Sequence, residues 1–68
     1  MKLEEVEPGM RLIHRSNALL SGWVSGVDLV GPVRRPGPCV WIRTYWRPRG
    51  PWLRVGAAEL SDCKKGAN

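Results

Sequence analysis

Residues 39–55, CVWIRTYWRPRGPWLRV, hold three of the chain's four tryptophans, its only tyrosine, four arginines and no acid. Residues 39–46 are rich in β-branched and aromatic side chains, which suit a pleated, half-buried surface. In RPRGP (47–51), proline presets φ and glycine tolerates positive φ, so the chain turns there. WLRV (52–55) then returns as an antiparallel strand. Side chains alternate across a strand. Val40, Ile42, Thr44 and Trp46 share one face with Leu53 and Val55, and that face reads as core. Cys39, Trp41, Arg43, Tyr45 and Arg47 share the other, beside Trp52 and Arg54. Two uses of this second face stand open. In one, the rings stabilise the hairpin themselves, through cross-strand pairs or by packing on a proline-rich loop. Alternatively, rings and guanidinium groups together present a surface for a ligand.

Working outward, MRLIHR (10–15) reads as a strand after the turn at Pro8–Gly9, with Leu12 and His14 on one face and Arg11, Ile13 and Arg15 on the other. SNALLSG (16–22) is a loop. GWVSGVDLV (22–30) reads as another strand, and Gly26 inside it marks a bulge or sharp bend. GPVRRPGP (31–38) is a loop, and AAEL (57–60) makes one helical turn. Four to five short antiparallel strands with one helical turn near 57–60 predict an all-β fold, a small SH3-like barrel over residues 9–63. Residues 1–8 form a leader and 64–68 a tail. Closure would remove exposed strand edges.

The chain has 68 residues, room for one domain. A domain this small buries only about 60% of its unfolded surface. It gains from a disulfide, a metal or oligomerisation. One His and two Cys without ligand spacing argue against metal. No cofactor is expected. The N-terminus is acidic and polar, unlike a secretory signal, and no apolar run approaches the roughly 20 residues that span a bilayer. A cytoplasmic protein with free thiols is expected, Cys39 in the core and Cys63 exposed, although a Cys39–Cys63 disulfide stays open. Oligomerisation is the remaining support, so a homo-oligomer is expected.

Net charge is +5, and it is unevenly spread. Glu4, Glu5 and Glu7 crowd the start. Between Asp28 and Glu59 lie Arg34, Arg35, Arg43, Arg47, Arg49 and Arg54 with no acid among them. Such a body favours anionic partners. Asp28, Glu59 and Asp62 are expected to balance nearby arginines. His14 has no nucleophile and carboxylate assigned to it by spacing, so it reads as structural. The glycines form no phosphate-binding loop, and the prolines of 31–38 form no PxxP ligand.

Residues 9–26, GMRLIHRSNALLSGWVSG, resemble the segment that opens the barrel of type II dihydrofolate reductases, the small plasmid- and integron-borne enzymes. The matching positions are Gly9, Arg11, Leu12, Arg15, Ser16, Ala18, Gly22 and Gly26. AAEL (57–60) resembles that family's helical turn after its last long strand. The resemblance implies an SH3-like barrel. It also implies a tetramer around a pore that binds folate and a nicotinamide cofactor, and a gene-cassette setting. That family lines its pore with a Val-Gln-Ile-Tyr motif and a lysine. These fall here on Pro51, Trp52, Leu53 and Arg54, and on His14. None of the motif residues is present, so the fold carries over without the reductase chemistry.

The leading expectation is a non-enzymatic module that binds nucleic acid. Trp41, Tyr45 and Trp52 would stack on bases. Arg43, Arg47, Arg49 and Arg54 would hold phosphates, assisted by Arg34 and Arg35. The alternative is a protein-interaction or self-assembly module with the same rings buried between subunits. A heterocycle-binding pore protein comes third.

Overall fold

A computed structural model describes residues 1–67. Five strands form one antiparallel sheet: β1 (Arg11–His14), β2 (Gly22–Asp28), β3 (Cys39–Thr44), β4 (Leu53–Gly56) and β5 (Cys63–Lys65), in the order β4-β3-β2-β1-β5. Short 3₁₀ turns span Leu3–Glu5, Ala18–Leu20 and Ala57–Asp62. The fold is all-β, and the last of these turns lies where AAEL predicts one. It carries the chain from β4, at one edge of the sheet, to β5, at the other. The described strands form an open sheet, because β4 and β5 do not pair. Its edge strands are short, and β5 bears Lys64 and Lys65, which discourage edge-to-edge pairing. Among the described residues no helix is long and apolar enough to cross a membrane.

The inward face follows the alternation. Leu12, Val24, Val40, Ile42 and Val55 are buried, with Leu60 from the 57–62 turn closing over them. Each such aliphatic side chain contributes about 1.5–3 kcal/mol on burial. The leader joins this core rather than standing apart from it. Val6 is buried, and the Met1 ammonium donates to the Leu60 carbonyl at 3.1 Å. At the other end Lys64 and Lys65 pair with Ile13 and Leu12, and the Gly66 N–H donates to the Arg11 carbonyl at 2.9 Å. The sheet therefore continues past residue 63 into the segment read as a tail. Asn68 lies outside the described residues.

The β2–β3 pair is the longest in the sheet. Its register shifts between Val24, opposite Ile42, and Gly26, opposite Trp41, so Ser25 is the extra residue of a bulge at the position Gly26 suggests. Gly22 lets the two backbones approach. A β-carbon there would fall on the Arg43 carbonyl oxygen.

Three placements differ from the sequence reading. Trp46 is not core. β3 ends at Thr44, the alternation stops with it, and the ring turns out to 56% exposure while its Nε1–H donates to the Leu19 carbonyl at 3.0 Å. Cys63 is buried, because it opens β5 opposite inward-facing His14. Trp52 precedes β4 instead of starting it, and is 58% exposed. Both cysteines are free thiols.

Candidate functional site

The solvent-facing side of the sheet is organised by register. Arg11 of β1, Trp23 of β2 and Arg43 of β3 are consecutive cross-strand partners. The Arg43 guanidinium lies 4.8 Å from the centre of the Trp23 ring. Tyr45, just past β3, meets the same ring edge-on, with centroids 4.6 Å apart and planes at 85°. Such cation–π and edge-to-face contacts each contribute on the order of 0.5–1.5 kcal/mol and hold the rings in a defined orientation. Beside this cluster runs an open groove of about 420 Å³, lined by Trp23, Arg43, Trp52, Ser25 and Gly9. Two indoles and a guanidinium thus face one recess. A second groove of about 550 Å³ lies toward β5, lined by Arg11, Ile13, Tyr45, Lys64 and Lys65 among others.

Toward β4 the same face holds Trp41 in a hydrogen-bonded turn, beside an open groove of about 310 Å³ lined by Arg35, Pro38, Arg54 and Glu59 among others. Trp41 is half-buried and its Nε1–H donates to Asp28 Oδ2 at 3.3 Å. Asp28 Oδ1 accepts from Val30 N–H at 3.0 Å and Gly31 N–H at 2.9 Å. The loop beyond is cinched by Gly37 N–H donating to the Val30 carbonyl at 2.6 Å. Gly31 has φ +80°, and a β-carbon there would strike the Gly37 carbonyl. The Gly31 N–H, then the Trp41 indole and the Val30 N–H, hold the Asp28 carboxyl below its ordinary range. Cys39 is fully buried although its strand parity points outward. Burial, with Asp28 next, pushes its thiol up. Burial, then Glu59, does the same for Cys63, whose Sγ–H donates to the Glu59 carbonyl at 3.4 Å.

The later acids engage neutral donors rather than the arginines they were expected to balance. Asp28 takes the three donors above, Glu59 Oε2 accepts from Gly56 N–H at 2.9 Å, and Asp62 accepts from the Ser16 hydroxyl. The Val30, Gly31 and Gly56 donors are local turn bonds, two or three residues away, while Trp41 and Ser16 reach their acids from other segments. The basic face keeps its charge.

The nine residues singled out from the sequence separate accordingly. Arg43 and Trp52 share the first groove, and Tyr45 packs on Trp23. Trp41 and Arg54 are cross-strand partners, and Arg54 lines the β4-side groove together with Arg35. Arg34 and Arg35 are exposed in the 31–38 loop, where Arg35 N–H donates to the Pro32 carbonyl at 3.1 Å. Arg47 and Arg49 are exposed in the β3–β4 turn, where the Arg47 carbonyl accepts from Gly50 N–H at 2.9 Å. Trp23, Arg11 and Lys64 were missed. The alternation of residues 22–25 sets Trp23 opposite buried Val24, and that signal places its ring outward.

His14 is buried, and its Nδ1 accepts from Asn17 N–H at 3.1 Å, a loop-fastening role. Of the positions aligned with the reductase motif, Pro51 and Trp52 stand on the turn and Leu53 and Arg54 on β4. Among the described residues no three His, Cys, Asp or Glu side chains gather as a metal-binding group. The molecule is a small, basic, all-β protein with one aromatic–arginine face. No protein-family model, curated protein or solved structure matches the chain.

Proposed function

We propose that the chain is a non-enzymatic module that binds single-stranded nucleic acid on the open end of its sheet. The observation that carries this is the first groove, where Trp23, Trp52 and Arg43 converge. Bases stack on the indoles, at about 1–3 kcal/mol each, and Arg43 neutralises phosphate. Tyr45 braces Trp23. Arg47, Arg49, Arg34, Arg35 and Arg54 extend the positive field, and Trp41 supports the adjoining loop. Titration with short single-stranded DNA and RNA, followed by tryptophan fluorescence, tests the reading. Saturable quenching that persists at physiological salt is expected. Quenching that vanishes with modest salt would reduce the face to nonspecific attraction.

Self-assembly is the second reading. It draws on Trp46, which stands half-exposed over a cleft of about 70 Å³ with Pro51 and Leu53. A rim of this kind fits a subunit contact. Sedimentation equilibrium is expected to show an oligomer that Trp46→Ala dissociates. A wild-type monomer at high concentration rejects it.

A further inference from the structure

We propose that the groove at the β1–β5 edge is a second phosphate subsite, so that the ligand is an oligonucleotide laid across the sheet rather than a mononucleotide. The inference rests on the nucleic-acid reading of the first groove and extends it. The two grooves are separated by the Trp23–Tyr45 pair: Trp23 lines the first and Tyr45 the second. The second carries Arg11, Lys64 and Lys65, and no acid among the described residues lines it. One guanidinium nitrogen of Arg11 donates to the Ala67 carbonyl at 3.2 Å, which leaves its other N–H groups for a ligand. Tyr45 also lines this groove, and its hydroxyl is buried with no hydrogen-bond partner among the described residues. A buried, unpaired hydroxyl costs free energy. A phosphate oxygen reached by displacement of the flexible lysine and arginine chains would satisfy it.

Edge protection accounts for two lysines on β5. It does not account for Arg11, which lies on an interior strand between β2 and β5, nor for the unpaired hydroxyl. From β3 to β5 the face spans three strand spacings, roughly 14 Å. One nucleotide occupies one groove, and only a longer strand engages both.

The test compares thymidine dinucleotide with thymidine hexanucleotide on the full chain by tryptophan fluorescence. Four variants are used: Trp52→Ala, Lys64→Gln, Tyr45→Phe and, as a charge-matched control outside the groove, Lys2→Gln. Trp52→Ala is expected to weaken both ligands. Lys64→Gln is expected to weaken the hexanucleotide about three- to tenfold and leave the dinucleotide unchanged, and Tyr45→Phe, which keeps the ring against Trp23, is expected to weaken the hexanucleotide more than the dinucleotide. The salt slope for the hexanucleotide should fall by about 0.7 for Lys64→Gln, one phosphate contact on a single strand. Lys2→Gln should leave both affinities in place. If Lys64→Gln and Lys2→Gln behave alike, or if Lys64→Gln weakens both lengths equally, the second subsite is wrong while the first groove stands. If the wild-type chain quenches with neither ligand, the parent reading fails and this one with it.

Discussion

Trp41 and Trp23 lie on adjacent strands of one sheet face and have opposite surroundings. Trp41 is tied by its indole N–H to Asp28, whose carboxylate also accepts from Val30 and Gly31 N–H at the start of the following loop. Trp23 carries Arg43 over its ring and Tyr45 at its edge, and borders an open groove. The same residue type serves as a strut at one end and as a platform at the other. What separates them is the neighbouring backbone. Asp28 ties Trp41 to the turn that follows β2, while the bulge residue Ser25 lines the open groove beside Trp23.

The largest effect should come from the element both ends share. Gly22→Ala puts a β-carbon on the Arg43 carbonyl. It is expected to cost roughly 3–4 kcal/mol, near the whole stability of so small a domain. Circular dichroism melting would show a largely unfolded chain, and a normal melt would refute the close approach of β2 and β3. Next comes Trp41→Ala. A fully buried tryptophan costs about 3–5 kcal/mol on truncation, and a half-buried one about 2. The melting temperature should drop while the folded fraction binds oligonucleotide as before. Reduced affinity at unchanged stability would erase the distinction between the two ends.

Trp52→Ala should do the reverse. Its ring is exposed, so stability should move by no more than about 0.5 kcal/mol. Affinity for single strands should fall about tenfold, within the range for one stacked base. The smallest effect is a pH dependence of the Trp41 end. The Asp28 carboxyl is held below its ordinary value of 3.8 by Gly31, Trp41 and Val30 donors. Its stabilising contribution is therefore complete above that value and is lost as pH falls through the lowered one. Asp28→Asn should flatten that acid limb in the Trp41 emission. An unchanged limb would mean the carboxylate does not hold the loop.

The strands were legible in the sequence because alternation and turn residues act locally. Leu12, Val40, Ile42 and Val55 are buried as their parity requires, and Gly26 marks the bulge. Trp46 was misplaced because parity was carried past the end of β3 at Thr44. Cys39, read as a core residue, is buried although its parity in β3 points outward. Trp23 was overlooked because its partners, Arg11 and Arg43, come from two other strands, and register is a pairing between distant segments.

Alone, the sequence determined the all-β class, the inward faces of the strands, the helical turn near 57–60 and an excess of positive charge. These follow from backbone sterics, side-chain period and composition, each readable within a few residues. The tertiary structure decided which aromatic residues stand open and which acids are spent in turns. It also brought Arg11 and Lys64, remote in sequence, into the face that begins at Arg43. Those outcomes depend on strand order, register and loop cover, and they exist only once segments dozens of residues apart lie side by side.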